Sequence, residues 1–375
     1  MNVPLFKIYW DDDDIQLVTK TIQKGSYWAI GPMIEEFEQR IADYIGQKYC
    51  VTFNSGTSAL HALLLSCGIS PGDEVIVPSF TFISTANSAI FVKAKPVFAD
   101  IERTTFGLDP ASVVEKITPK TRAIIPVHYG GCPCRIRELR EIADDHDLLL
   151  LEDAAESMGA HINGKMVGTF GDASMFSFCQ NKIITTGEGG AITTDSKEIY
   201  EKLKLMRSHG REDCANYFAT SDYLEYVTLG YNFRISDITA ALGVAQIKKI
   251  ASIISMRQKN ADYFRQGLGK IPFIHVPEFP YGYSCVYQLF TTVIKGSRTQ
   301  RDDLIRQLGE YHIGSKVYFY PIHLTRFYRD TYGYSPGLLP VTEEVSDAVL
   351  TLPMYPSLSR DEMDYVIDSL SRCSL

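Results

Sequence analysis

The sequence predicts an α/β protein, a mostly parallel central sheet with helices on both faces and a smaller α/β unit at the C-terminal end. Three observations support this. Short apolar runs with little alternation, such as "DEVIVPSF", "RAIIPVHYGG" and "DLLLLEDAA", indicate strands buried on both faces. Longer amphipathic stretches separate several of them, and a βαβα order calls for parallel pairing. The chain has 375 residues, of which 45% are hydrophobic, enough for one large domain and one small one. The expected division is 1–250 and 251–375.

The elements follow in order. "DDDDIQLVTKTIQKG" reads as a helix whose acidic first turn complements the macrodipole and whose Gly25 ends it. The loop "SYWAIGP" leads into a second helix, "MIEEFEQRIADYIG". "KYCVTFNS" is a strand and "GTSALHALLLSCGI" the helix after it. "DEVIVPSF", "KPVFADI", "RAIIPVHYGG" and "DLLLLEDAA" are the next strands. A continuous helical pattern from Ile238 to Phe264 is expected to bridge the domains. "FIHVPEF", "YQLFTTVIKG", "RDDLIRQLGEYHI" and "DEMDYVIDSLSR" then make the small domain.

Composition excludes some functions. The net charge is −8 with no run of five or more Lys and Arg, which leaves no electrostatic footprint for nucleic acid. The N-terminal "MNVPLFKIYWDDDD" lacks the basic start and apolar core of a signal peptide. No apolar run approaches the roughly 20 residues that span a bilayer. Eight cysteines without an even framework fit a reduced, cytoplasmic setting. His128, Cys132 and Cys134 lie close together in "HYGGCPCRIRE", but no second ligand pair follows at zinc spacing, so no metal is expected.

Chemistry-bearing residues fall at expected strand ends, where open parallel sheets bind ligands. In "NSGTSAL" a strand turns through Gly56 into a helix. Its first N–H groups suit a phosphate, although Ser-Gly-Thr is also ordinary capping chemistry. In "LLLLEDAAES", Asp153 should lie deep in the crevice and needs a cationic or hydrogen-bonding partner; capping the next helix is the competing use. In "MFSFCQNKIITTGEGGAI", Phe176 and Phe178 facing the core would turn Ser177 the other way. Lys182 then follows as a desolvated amine, or as a plain surface lysine at a hairpin. A phosphate cradle, a buried acid and a nucleophilic lysine together suggest pyridoxal phosphate.

The chain resembles the DegT/DnrJ/EryC1/StrS family of sugar-nucleotide aminotransferases. The resemblance runs from "GSYWAIGPMIEEFE" to "LTLPMYPSLSRDEMDYVI", and "NSGTSAL", "VPSFTFISTANS", "LEDAAES", "FSFCQNKIITTGEGG" and "LGYNFRISDITAALG" are its most specific pieces. It implies a fold-type-I pyridoxal phosphate enzyme in which Lys182 forms the Schiff base and then shuttles a proton. It also implies that Asp153 pairs with the ring nitrogen, Phe82 stacks on the ring, and Gly56, Thr57 and Ser177 hold the phosphate. Glu156 stands near the ring hydroxyl, where relatives often carry Gln or His. Asn232, in "GYNFR", would reach the phosphate of a partner subunit, which implies a homodimer with shared sites.

The implied reaction takes an amino group from glutamate to a keto sugar nucleotide. Relatives that dehydrate keto sugars carry histidine where this chain has Lys182, which favours transamination. The "TTGEGG" motif points to C4 of a 4-keto-6-deoxyhexose; no role follows for its Glu188. Trp28, Lys316, Tyr320 and His323 are candidate substrate contacts, with interdomain packing as the alternative for each. The rival readings are an aminotransferase for a cyclitol or aminobenzoate precursor and a non-catalytic regulatory protein on the same fold.

Overall fold

The computed structural model describes residues 1–212 and 223–373. A seven-stranded sheet is assembled from β1 (Tyr49–Phe53), β2 (Glu74–Pro78), β3 (Lys95–Ala99), β4 (Thr121–Ile124), β5 (Leu149–Asp153), β6 (Ala173–Ser177) and β7 (Gly190–Thr194). Their spatial order is β1-β7-β6-β5-β4-β2-β3. Pairing is parallel from β6 through to β3, while β7 is antiparallel to both β1 and β6. Two reversals cancel, so β1 points the same way as β6. The carboxyl ends of β1, β2, β4, β5 and β6 therefore share one edge. The expectation of a mostly parallel sheet matches this arrangement. Its exception, β7, follows a glycine turn whose composition does not announce a strand.

Helices cover both faces, and strand alternation decides which core each residue joins. Along the first two-thirds of the chain they are α1 (Asp12–Gln23), α2 (Pro32–Ile45), α3 (Gly56–Ser66), α4 (Ser84–Phe91), α5 (Pro110–Lys116), α6 (Ile136–Asp145), α7 (Lys197–Arg207) and α8 (Asp237–Ile247). Val75 and Val77 of β2 pack with Leu60, Ala86 and Leu203 under α3, α4 and α7. Ile76 between them packs with Val113 and Leu139 under α5 and α6. On that second face Phe176, Phe178 and Ala191 join Phe37 of α2 and Val244 of α8. Burying each Val, Leu, Ile or Phe among these contributes about 1.5–3 kcal/mol before entropy is counted.

The starts and stops are local chemistry. Asp11 caps α1 in a reciprocal box with Asp14, and Gly25 follows it in the left-handed region, φ +69°. The long helix expected from Ile238 to Phe264 is instead two, α8 and α9 (Ile250–Leu268), bent by 58°. The break lies at Lys248–Lys249, where the Lys249 ammonium is drawn to Asp11 and, at 2.8 Å, to Asp14 Oδ2 of α1. Hydrophobic period alone does not register such a tether. No single helix among the described residues is long and apolar enough to cross a membrane.

After α9 comes a three-stranded antiparallel sheet, β8 (Ile274–His275), β9 (Phe290–Ile294) and β10 (Val349–Leu352), with β9 in the middle. Phe264 and Leu268 of α9 share its core with Phe290, Leu304, Val366 and Leu370. Val3 belongs to that core too, although the sequence reading groups it with the large domain. Its N–H donates to His312 O at 3.0 Å and its carbonyl accepts from Gly314 N at 2.8 Å.

Candidate active site

Alternation gives two neighbouring acids at the end of β5 opposite surroundings. Glu152 is fully buried, and five donors surround it. Its Oε1 accepts from Phe170 N, Gly171 N and Ser174 Oγ, and its Oε2 from Gly168 N and His128 Nε2. Burial opposes ionisation, yet the bonds from His128, Gly171 and Gly168 hold this carboxyl below its usual range. His128 Nδ1 accepts Cys134 N–H at 3.1 Å, so its proton sits on Nε2, against Glu152. His128 is thereby a brace for this strand end. Among the described residues, no group of three His, Cys, Asp or Glu is placed to hold a metal ion.

Asp153 points the other way and has fewer partners. It is 3% exposed; Oδ2 accepts from Thr85 Oγ1 at 2.8 Å and Oδ1 from Ala155 N at 3.2 Å. Burial pushes its pKa up, and Thr85, Ala155 and the charge of Lys182 only partly offset this. A carboxylate offers about four lone-pair sites. Among the described residues, no Lys, Arg or His forms an ion pair with Asp153, and the Lys182 charge acts on it only from beyond that range.

Lys182 meets the same crevice from the loop after β6. Phe176 and Phe178 are completely buried, and Ser177, half-buried between them, faces the carboxyl edge. The chain then turns, with Lys182 N donating to Cys179 O at 2.9 Å. The Lys182 ammonium lies 3.4 Å from Glu156 Oε1. The other oxygen, Oε2, accepts from Gly130 N at 2.9 Å. Glu156 is three residues beyond Asp153 on one turn, so the amine and both acids are gathered at one place.

The third wall is the start of α3. Ser55 caps it, accepting from Ser58 N at 3.1 Å, and the N–H groups of Gly56 and Thr57 are left pointing out of the helix end. A Cβ on Gly56 would stand 3.3 Å from Ser177 Cβ and 3.4 Å from its Oγ, so the helix start and the Ser177 hydroxyl close one small cup. Gly190, opposite Ser177 on β7, has no room for a side chain, since its Cβ would meet Gly56 N at 2.7 Å. Phe82 follows β2 with its ring 60% exposed, three residues before Thr85. Asn232 is exposed, and its carbonyl accepts from Asn54 Nδ2 at 3.4 Å beside the start of α3.

A model of the DegT/DnrJ/EryC1/StrS aminotransferase family matches residues 9–371. The chain belongs to that family. It is an enzyme, an aminotransferase of the fold that depends on pyridoxal phosphate. The GDP-perosamine synthase of Caulobacter vibrioides is 37% identical over 346 residues, 92% of this chain and 91% of that protein. The spore coat polysaccharide biosynthesis protein SpsC of Bacillus subtilis is 36% identical over 364 residues, 96% and 93% of the two chains. The solved structure of Helicobacter pylori PseC, an aminotransferase involved in the biosynthesis of pseudoaminic acid, superposes with a TM-score of 0.92. It is 27% identical and covers 99% of this chain and 98% of that one.

The features above fit this family's cofactor. A cup with free N–H donors suits its phosphate, a buried acid lacking a cation suits its ring nitrogen, and a sheltered amine suits its aldehyde.

The substrate candidates divide. Trp28 is half exposed, its Nε1 donating to Ile22 O at 3.2 Å and its carbonyl accepting from Asp237 N. Tyr320 is half exposed, and the ammonium of Lys316, on an exposed residue, lies over the Tyr318 ring at 4.9 Å. His323 is not available to a substrate. It is completely buried, Nδ1 bonded to Ser79 Oγ at 2.8 Å and Nε2 to Glu343 Oε1 at 3.1 Å. A histidine near a binding segment looks the same in sequence whichever way its ring turns.

Thr85 and Gly130 belong to the site although the sequence does not single them out. Thr85 lies inside the "VPSFTFISTANS" motif, and its spacing after β2 is the only signal. The Gly130 N–H reaches Glu156 through a chain reversal that no local pattern marks. Glu188, exposed at the turn, accepts a contact from Cys179 Sγ at 3.6 Å.

Proposed function

We propose that this chain moves an amino group from glutamate to C4 of a 4-keto-6-deoxyhexose carried on a nucleotide, in amino-sugar and polysaccharide biosynthesis. The observation behind this reading is the gathering of Lys182, Glu156 and Asp153 at the carboxyl edge, beside the cup of Gly56, Thr57 and Ser177. The names of the relatives support a sugar substrate, one of them being a synthase of GDP-perosamine. The "TTGEGG" turn supports C4 amination, and the seven free cysteines among the described residues suit a cytoplasmic enzyme.

Pyridoxal phosphate supplies an electron sink for a carbon that loses its proton. The chain does the rest. Lys182 attaches the cofactor and, as a free amine, holds and moves a proton at Nζ, with Glu156 Oε1 as its counter-ion. Asp153 keeps a proton on the ring nitrogen, oriented by Thr85. Phe82 covers one ring face. Gly56 N–H, Thr57 and Ser177 anchor the phosphate, and Asn232 serves the partner's phosphate in a homodimer. Trp28, Lys316 and Tyr320 flank the sugar nucleotide.

The test compares wild type with Lys182→Ala for cofactor absorbance, borohydride trapping and 2-oxoglutarate release from glutamate. A panel of keto-sugar nucleotides and keto-cyclitols then follows the amino product. An unchanged covalent band in the variant refutes the role of Lys182, and turnover of cyclitols alone refutes the sugar substrate.

A further inference from the structure

One segment before β9 holds both members of the Lys182–Glu156 pair. Val286 N donates to Gly131 O at 2.9 Å and Leu289 N to Gly130 O at 3.1 Å. Those bonds fix the chain whose Gly130 N–H reaches Glu156. In the same segment the Gln288 side chain crosses to the other member. It is 4% exposed, and its Nε2 donates to the carbonyl of Asn181, the residue before Lys182. The segment is itself anchored, since Arg257 Nη1, from α9, donates to Tyr287 O at 3.0 Å and Met354 O at 3.2 Å.

A second feature sets Gln288 apart. Its Oε1 is buried and has no hydrogen-bond partner among the described residues. An apolar side chain of similar length would fill the same space without an unmet acceptor. The glutamine therefore owes its place to the Nε2 bond, whose target is the backbone that aims Lys182. The contact also closes on Gly131, where a Cβ would stand 2.8 Å from Gln288 N and 3.1 Å from Glu156 O. There is no room there for the Glu156 side of the pair to drift.

We propose that Gln288 is a positioning residue for Lys182: it fixes the Asn181–Lys182 backbone against the segment that fixes Glu156, and so sets where the amine meets the cofactor aldehyde. The assignment rests on the function proposed above. A displacement of about 1 Å at a reacting atom costs up to a hundredfold in rate. Removing the bond should therefore slow capture of the cofactor far more than it disturbs the fold.

The experiment prepares apo protein as wild type, Gln288→Leu, Gln288→Asn, Gln288→His and Lys182→Ala, then adds pyridoxal phosphate. It follows the covalent absorbance band in time, melting temperature, and kcat and KM for the sugar nucleotide. Gln288→Leu should melt close to wild type, since it removes the unmet Oε1 acceptor but leaves the Asn181 carbonyl without its donor. Its covalent capture should slow by about tenfold or more, with kcat reduced and KM unchanged. Gln288→Asn, one methylene short of the carbonyl, should behave likewise, while Gln288→His, which keeps a ring N–H donor, should recover part of the rate. The proposal is overturned if Gln288→Leu and Gln288→Asn capture cofactor at the wild-type rate. It is also overturned if their losses follow a lowered melting temperature and histidine gives no rescue. Covalent capture by Lys182→Ala at the wild-type rate would overturn the functional reading itself, and this assignment with it.

Discussion

Lys182 and Glu156 face each other at 3.4 Å, and the carboxylate that holds the amine is held in turn by the N–H of Gly130. The pair is largely sheltered, with 14% and 8% of the two side chains exposed. Removing one partner of such a pair strands the other. Glu156→Ala also leaves the Gly130 N–H without its acceptor, a loss on the order of 1–3 kcal/mol. Glu156→Gln keeps an oxygen for Gly130 and should recover most of that loss, although it removes the charge. Denaturant unfolding of the apo proteins measures both. Equal destabilisation would mean that the backbone bond contributes little and the charge pair dominates.

Asp153 gives a prediction whose sign follows from its burial. Its folded pKa is raised above the unfolded value, so its contribution to stability is present below the unfolded pKa and is lost as pH rises through the folded one. At neutral pH the buried acid costs the apo protein stability. Asp153→Asn should therefore leave the apo enzyme at least as stable as wild type at pH 7–8, with the gap closing as pH falls toward 4. The same variant should lose activity by orders of magnitude, because Asn cannot keep a proton on the ring nitrogen. Melting curves against pH, beside kcat, test the pairing. A variant that is both less stable and active would contradict it.

The two acids also mark how far sequence reading reaches. That Asp153 ends a buried strand follows from the apolar run before it, and that Ser177 opposes two buried phenylalanines follows from a period of two. Both depend on residues a few positions apart. The five donors around Glu152 come from as far away as His128 and Ser174, and Thr85 reaches Asp153 across 68 positions. Contacts of that kind are made by strand order, which local pattern does not encode. The bend between α8 and α9 escaped for the same reason, because the lysine at the break answers to acids at the start of the chain. His323 was legible as a residue but not as a direction. Its ring was a candidate substrate contact with interdomain packing as the alternative, and it is bonded on both nitrogens inside the protein.

That inward histidine makes stability depend on pH. Burial lowers the His323 pKa despite the opposing Glu343, and Ser79 and Asp100 complete its charged and polar surroundings. Burial favours the neutral ring in the folded protein, so the stability it contributes is present above its unfolded pKa of about 6.5 and is lost as pH falls from there through the lowered folded value. Wild type should lose melting temperature between pH 7.5 and 5.5. The loss should be smaller in His323→Gln, which has no proton to gain. Parallel curves for the two proteins would show that another group titrates. The KM for sugar nucleotide should hardly differ between them at pH 7.5, since neither ring nitrogen is free for substrate.

The cup at the start of α3 is closely packed, and a single methyl group probes it. In Gly56→Ala the new Cβ would stand 3.2 Å from Met175 Sδ and 3.3 Å from Ser177 Cβ, tighter than ordinary contact. Alanine favours a helix intrinsically, so the fold should survive and thermal stability should change little. The helix start must shift to relieve the contact, and its N–H groups then miss the position they hold for an anion. Loss of one hydrogen bond to a charged phosphate is worth about 1.5–3 kcal/mol, or about tenfold or more in Kd. The matched control is pyridoxal, which keeps the ring and aldehyde but lacks the phosphate. Wild type should prefer the phosphorylated form strongly, and Gly56→Ala should lose most of that preference while binding pyridoxal as before. If both ligands weaken equally, the methyl group has disturbed the ring site rather than a phosphate cup, and α3 does not hold the anion.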